Sequence, residues 1–318
     1  MQREMKLQKI NSTTSSFYLR AVVFLLASVC VLGCSAHRVK AADGTAQATF
    51  VSPAVAGQAL QAASRAQDKD ALGHIFGSQS SPIVNSGDPA EDKAALQSFV
   101  AKYDRMNRWV TMSDGSQVLY IGSDNYAFPI PLVQESESRW YFDTTAGERE
   151  ILARRIGRNE LLAMDASTSI ANAEELYRRR FKEYTQTILG SSKKQDGLHW
   201  EARQDQPSSP LGRLGNFAGT AANSAVNGAP VFDGYSFRIL SAQGDKAKGG
   251  AKSYMIGGKM TAGFAVIATP VKYQDSGIMT FIVSRDGVVY QKDLGPNTAS
   301  AAASIASYNP TEGWRPAE

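Results

Sequence analysis

Apolar residues recur at helical spacing in the first third of the chain. Ser52-Pro53 suits an N-cap followed by a first-turn proline, and a second short helix is expected to reach Phe76. Asp88-Pro89 begins a third helix, and the stretch from Ser78 to Asp88 has the composition of a loop. The inner face of the third helix is predicted to carry Leu96, Phe99, Val100, Tyr103 and Met106.

Short alternating segments follow and predict strands at Trp109–Met112, Gln117–Gly122, Phe128–Val133 and Trp140–Phe142. Polar turns separate these segments, which indicates an antiparallel meander. Pro129 and Pro131 would place the third strand at an edge, because proline cannot donate to a sheet ladder. Helices on one face of such a sheet make an N-terminal α+β domain over residues 50–143.

Helical spacing returns after Phe142. Thr145 and Glu148 have the spacing of a capping box at a helix start. Apolar residues then cluster along the helix: Ile151, Leu152, Ile156, Leu162 and Ala163. A second run steps by three and four residues from Ile170 to Ile188, and Gly190 ends it. The pattern predicts a central helical pair over residues 144–190 and a linker or surface loop over residues 191–230.

A strand pattern returns from Phe232. Tyr235, Phe237 and Ile239 alternate on one face, and Asp286-Gly287 is a tight hairpin signal between later apolar runs. We predict a C-terminal β-rich domain over residues 231–318. The fold class is then α+β, with N-terminal helices on an antiparallel meander, a central helical pair and a C-terminal antiparallel sheet.

The N-terminus has the pattern of an export signal. A basic segment precedes the apolar run Ala21–Gly33, whose thirteen residues are too few to span a bilayer. The run ends in Val31-Leu-Gly-Cys34, which resembles the bacterial lipobox. We predict a lipoprotein signal peptide over residues 1–33 and lipidation of Cys34. The alternatives are a simple signal peptide cut after Ala36 and an uncleaved anchor.

A polar, alanine-rich tether is expected over residues 34–49, between the lipid and the fold. Ser35 after the cysteine resembles the pattern that is sent on to the outer membrane. We therefore expect an exported protein that is lipid-anchored in the cell envelope, at the periplasmic face of the outer membrane.

Charge and cysteine content narrow the function classes. The formal charge is +4, but residues 1–33 carry +3 of it, so the exported part is nearly neutral and nucleic-acid binding is not expected. Acylation of Cys34 and removal of Cys30 with the signal peptide leave no free thiol, which excludes thiol catalysis and cysteine–zinc sites. No cofactor is expected, because ATP and nicotinamide cofactors are scarce outside the cytoplasm.

Polar residues project between the apolar groups of the helix that follows Phe142. Arg155 and Asn159 lie at that margin, where an unpaired guanidinium or amide costs several kcal/mol. In one interpretation they clamp the helix to loop carbonyls or to a carboxylate such as Asp143 or Glu160. In the other they bind an anionic ligand, with Arg154 and Arg158 adding charge.

Complete catalytic motifs are absent from the sequence. It has three histidines and neither a His-Glu-x-x-His nor a Gly-x-Ser-x-Gly motif, and no metal site is predicted. Asp143, Glu148 and Glu160 are weak catalytic candidates that would need the separation of a glycosidase carboxylate pair. His199 is either a base or a packed structural residue. The segment Gln243–Ser253 contains glycines and lysines, as a phosphate-binding loop does, but we interpret it as a hairpin loop.

Six segments carry a family resemblance: Trp140-Tyr-Phe-Asp-Thr, Arg154-Arg-Ile-Gly-Arg-Asn-Glu-Leu161, Gly234-Tyr-Ser-Phe-Arg-Ile-Leu240, Ala242-Gln-Gly244, Ser276-Gly-Ile-Met-Thr-Phe281 and Lys292-Asp-Leu-Gly295. In this order they resemble the bacterial family catalogued as domain of unknown function 2950, from about Phe50 onwards. The resemblance implies an exported bacterial protein without an established activity.

The leading hypothesis is a lipid-anchored envelope protein that acts by binding or assembly. Its partners would be the membrane, through the lipid, and an envelope protein or an anionic ligand, with Arg154, Arg155, Arg158 and Asn159 as the recognition cluster. The alternatives are a hydrolase of cell-wall glycan or peptide and an accessory factor in secretion. The sequence favours a protein without enzymatic activity over an enzyme.

Overall fold

The structure is a computed structural model that describes residues 46–77, 83, 85, 87–136, 139–191, 193–201, 208–212, 229–311 and 313–317. Ala46–Glu318 forms one compact unit. The predicted signal peptide, Cys34 and most of the tether lie outside the described residues, as does most of the predicted linker. The chain is tied to the fold from Gln47, whose Nε2 donates to Phe142 O at 2.7 Å.

Among the residues that the structure describes, three complete helices precede the first sheet, each with a side-chain cap. They are α1 (Pro53–Ala66), α2 (Lys69–Phe76) and α3 (Pro89–Arg105), which follow Ser52, Asp68 and Asp88. Each capping oxygen accepts a backbone N–H of the first turn, such as that of Ala71 on Asp68 at 2.9 Å. Each of these helices therefore begins directly after a residue type that is favoured at helix N-caps.

These helices pack on an antiparallel sheet with the order β1–β2–β4–β5, in which β3 pairs with β2. The strands are β1 (Asn107–Thr111), β2 (Gln117–Ile121), β3 (Tyr126–Ala127), β4 (Leu132–Ser136) and β5 (Arg139–Phe142). The predicted edge position of the third strand is wrong: β4 lies inside the order. Pro129 and Pro131 precede β4, so neither proline removes a donor from its ladder.

The predicted central helical pair is one continuous helix, α4 (Thr144–Phe181). Its N-cap is Asp143 and not Thr145, because Asp143 Oδ1 accepts the Ala146 N–H at 2.9 Å. Ser167 lies where the two helices were expected to separate, and its hydroxyl donates to Ala163 O at 2.7 Å. Such back-bonding often bends a helix, but it satisfies the hydroxyl within the helix, and α4 continues through the polar run.

A second antiparallel sheet fills the C-terminal part, in the order β15–β14–β13–β12–β7–β6. One face packs against α4, and the short helix α5 (Thr298–Ser304) contacts β12. The strands are β6 (Val231–Phe232), β7 (Tyr235–Leu240), β12 (Ala265–Pro270), β13 (Met279–Ser284), β14 (Val289–Asp293) and β15 (Arg315–Pro316). Two small hairpins lie between β7 and β12: β8 (Ala242–Gln243) with β9 (Lys252–Ser253), and β10 (Met255–Ile256) with β11 (Lys259–Met260). The predicted α+β class is confirmed.

Candidate functional site

The arginine and asparagine at the margin of α4 contact the loop between β12 and β13. Arg155 forms an ion pair with Asp275, and Asn159 Nδ2 donates to Ser276 O at 2.9 Å. Asp275 also lies 3.2 Å from Lys272 Nζ. These contacts have the geometry of a clamp between helix and loop. The ion pair is partly exposed, so it adds little stability, whereas the amide contact is buried.

The other two members of the predicted cluster point elsewhere. Arg154 contacts the N-terminal sheet, with Nη1 donating to Ala127 O at 2.7 Å and Nε lying 2.7 Å from Glu150 Oε1. Arg158 is exposed, and no polar contact among the described residues involves it. The structure therefore brings Arg155 and Asn159 to one loop but separates Arg154 from them.

The three acidic candidates are spread along α4. Glu160 Oε1 accepts the backbone N–H groups of Ile278 and Met279 at 2.8 and 2.9 Å, which satisfies the start of β13. Asp143 caps the helix start. Glu160 follows Glu148 by twelve residues, about 18 Å along a helix, which is beyond the spacing of a glycosidase pair.

A cleft of about 370 Å³ lies between the β8–β9 hairpin and the turn after β13. This volume is within the range of small-molecule sites. Its lining includes Lys248 and Lys252 of the hairpin and Arg285 and Asp286 of the turn. The sequence interpretation of Gln243–Ser253 as a hairpin loop is confirmed, because β8 pairs antiparallel with β9.

Gln243 fixes the shape of the hairpin loop. Its Nε2 donates to Lys248 O at 2.9 Å and to Gly250 O at 2.7 Å, and its Oε1 accepts the Tyr254 hydroxyl at 3.0 Å. Gly249 and Gly250 have φ of +92° and +73°, a region that favours glycine. A buried amide with all these groups satisfied holds a loop in one conformation.

Two residues that lie much later in the chain support the same loop. Tyr308 N donates to Ala242 O at 3.0 Å, and Gly244 N donates to Tyr308 O at 2.9 Å. Asn309 Oδ1 accepts the Lys246 N–H at 2.9 Å. A Cβ on Gly244 would lie 2.3 Å from Asn309 Cγ, so only glycine allows this approach.

The charges of two lysines that line the cleft are not neutralised by any described residue. Lys248 and Lys252 are exposed and form no ion pair with a described residue. Lys246, on the same loop, does pair with Asp245 at 3.1 Å. These two ammonium groups at the cleft suit an anionic group on a ligand.

The surroundings of the cleft raise the pKa of two tyrosines that line it. Burial, with a smaller effect of the Asp286 charge, raises the pKa of Tyr254 to about 12. Burial also raises the pKa of Tyr308, and Asp286 contributes again. The two phenols therefore stay neutral and act as hydrogen-bonding groups near the Asp286 carboxylate.

This cleft is absent from the sequence-based candidates, because it joins three segments that are far apart in the chain. The Gly-rich hairpin and the Asp286-Gly287 turn are each visible in the sequence, but nothing in their spacing brings them together. The other candidate, His199, lies outside the cleft with Nδ1 3.4 Å from Ser209 Oγ. Burial lowers the pKa of His199, so its ring is neutral at pH 7.

Within the described residues, no group of three or more His, Cys, Asp or Glu side chains has the arrangement of a metal site. The helices in that part of the chain are too short or too polar for any of them to span a membrane.

Comparison with known proteins gives one match. The sequence model of a family described as "Protein of unknown function (DUF2950)" matches residues 47–317, which is most of the chain. No curated protein and no solved structure matches this chain.

Proposed function

The chain belongs to the DUF2950 family, whose description names no activity, and we propose from the cleft that it is a lipid-anchored envelope protein that binds a small anionic ligand. The observation that supports this proposal is the unpaired charge of Lys248 and Lys252 at a preformed cleft of about 370 Å³. Exposed lysines are common, but these two line a concave site whose loop is held rigid by Gln243.

Binding is favoured over catalysis by the state of the acidic side chains. Asp143 Oδ1 caps the start of α4 and Glu160 Oε1 accepts two backbone N–H groups, so both carboxylates have a structural role. Arg285 Nε, at the rim of the cleft, is held at 2.9 Å by Glu175 Oε1. A charge that is already paired contributes less to a ligand, so the two lysines carry the recognition of the anion.

The anion site is tested with a dipeptide and its neutral counterpart. We expect the full chain, purified in detergent, to bind L-alanyl-L-alanine by isothermal titration calorimetry and to bind L-alanyl-L-alaninamide at least tenfold more weakly, because the amide lacks the carboxylate. The double variant Lys248→Gln/Lys252→Gln should lose this preference. Lys246→Gln is the matched control, because Lys246 is on the same loop but pairs with Asp245.

Equal binding of the acid and the amide, or no binding of either, would contradict the anion site. A preference that persists in the double variant would assign the recognition to other residues. Circular dichroism of the variants controls for folding, since both lysines are exposed and their replacement should leave stability unchanged within about 0.5 kcal/mol.

The anchor is proposed on the sequence of the N-terminus, where Leu32-Gly-Cys34 follows an apolar run. We expect mass spectrometry of the mature protein to find an acylated N-terminal Cys34. The Cys34→Ser variant should leave the membrane fraction. An unmodified Cys34, or a mature N-terminus after Ala36, would remove the anchor but leave the cleft as a binding site.

A role as an accessory factor in secretion stays a prediction. It requires a stable partner, and crosslinking in intact cells followed by purification under denaturing conditions would recover that partner or show its absence.

A further inference from the structure

The cleft is lined by side chains of opposite charge, and we propose that its ligand is a zwitterion: an amino acid or short peptide that carries both a free amine and a free carboxylate. This inference rests on the proposed function and names the class of ligand. It comes from the presence of Asp286 in the same cleft as Lys248 and Lys252.

Asp286 keeps free capacity on its carboxylate. Its Oδ1 accepts the Ser284 hydroxyl at 2.8 Å and the Val288 N–H at 3.3 Å, which orient the side chain. Its Oδ2 has no polar contact among the described residues, and no described lysine or arginine forms an ion pair with it. An oriented carboxylate with one free oxygen is a suitable acceptor for an ammonium group.

Neighbouring charges do not cancel that of Asp286. The adjacent residue, Arg285, turns to Glu175 at 2.9 Å, and the Tyr184 hydroxyl donates to the same carboxylate oxygen at 3.0 Å. The lysines line the same cleft as Asp286, yet they form no ion pair with it. The cleft is therefore lined by charges of opposite sign that form no ion pair among the described residues, and a ligand with both charges can pair with them.

A simple anion fits this arrangement less well than a zwitterion. An anion held by the lysines alone would lie in the field of Asp286, which repels it and reduces its affinity. A ligand amine beside Asp286 would instead lie near the rings of Tyr254 and Tyr308, which attract cations through their faces. The small aliphatic side chains of Ala247 and Ala262 leave room for a short ligand in the cleft.

The amine is tested by blocking it while the carboxylate is kept. We expect N-acetyl-L-alanyl-L-alanine to bind the full chain at least tenfold more weakly than L-alanyl-L-alanine. Asp286→Asn should abolish this difference, because it weakens binding of the free-amine dipeptide and removes the repulsion of the acetylated one. Asparagine keeps the oxygen that Ser284 and Val288 bind. Asp245→Asn is the matched control, because Asp245 is exposed on the hairpin and does not line the cleft.

The outcomes separate this inference from the proposed function. Equal affinity for the acetylated and free dipeptides, together with a continued preference for acid over amide, would overturn the zwitterion and leave the anion site. Inorganic phosphate that binds as tightly as the dipeptide, and equally tightly to Asp286→Asn, would also overturn it. Loss of the acid-over-amide preference in the wild-type protein would overturn both. A tenfold loss in Asp286→Asn with unchanged affinity in Asp245→Asn supports the inference.

Discussion

One buried carboxyl group on α4 should make the stability of the fold depend on pH. Glu174 is 0% exposed on α4, and its Oε2 accepts the Thr185 N–H at 3.1 Å. Its Oε1 has no hydrogen-bond partner among the described residues. Burial raises the pKa of Glu174 well above its ordinary value. A buried carboxyl in this environment holds its proton in the folded state, because the neutral form loses less solvation.

We expect Glu174→Gln to remove a pH dependence of stability. The folded-state pKa lies above the unfolded value of about 4.3, so above that pH the unfolded chain has released a proton that the folded protein retains. The free energy of unfolding of the wild type therefore falls as pH rises from about 4.3 towards the folded-state pKa. Glutamine is neutral and similar in shape, so the variant should lack this decline.

Urea unfolding at a series of pH values measures this effect. Glu150→Gln is the matched control, since Glu150 is exposed on the same helix and should keep the wild-type dependence. Parallel stability profiles of the wild type and Glu174→Gln would show that Glu174 is ionised in the folded protein.

Among the secondary-structure elements, the central strands of the C-terminal sheet could be predicted from the sequence. The alternation of Tyr235, Phe237 and Ile239 marks β7, and the apolar runs mark β12 and β13. The helical pair could not be excluded, because the polar run around Ser167 has the composition of a break and its back-bonding to Ala163 is a property of the folded helix. The helix also ends at Phe181 and not Gly190, because Lys182 adopts the left-handed conformation.

The candidate site was only partly accessible to sequence reasoning. The sequence shows that Arg155 and Asn159 lie at a core margin, but their partners Asp275 and Ser276 are well over a hundred residues away. The cleft depends on contacts of the same kind between distant segments. Local periodicity predicts an element, and it carries no information about which loops meet.

Two glycines of α4 give an internal comparison of helix propensity against packing. A Cβ on Gly157 would have no atom within 4 Å, so Gly157→Ala should stabilise the protein by about 0.5 to 1 kcal/mol. A Cβ on Gly147 would lie 2.6 Å from Ile130 Cγ1, so Gly147→Ala should destabilise it by about 1 to 3 kcal/mol. Thermal unfolding of both variants measures these opposite shifts, and equal shifts would contradict the close packing of Gly147 on Ile130.

The whole molecule is organised by one helix that contributes to both sheets. Near its start, Thr144 Oγ1 donates to Phe76 O at 2.6 Å and Gly147 packs against Ile130 in the N-terminal part. Further along, Ala163 and Ile170 are buried against the C-terminal sheet. The length of α4, about 57 Å for 38 residues, allows one rigid element to serve both cores.

We expect the two sheets to unfold together, because loss of either core removes a packing surface of α4. Trp109 and Trp140 report on the N-terminal part, and Trp200 and Trp314 report on the C-terminal part. Two variants, one that keeps only Trp140 and one that keeps only Trp200, with phenylalanine at the other three positions, should give coincident urea transitions by fluorescence. Two separated transitions would show that the sheets are independent domains linked by the helix.

Tyr308 and Asn309 support the hairpin loop, so the cleft can bind a ligand only after both residues have been synthesised and folded. The loop contacts residues that lie more than sixty positions later in the chain, so a ribosome must finish them before the cleft has its shape. If the chain is exported unfolded, as the proposed signal peptide implies, it would cross the membrane without a competent pocket. Ligand would then bind only after the last residues have folded against the loop.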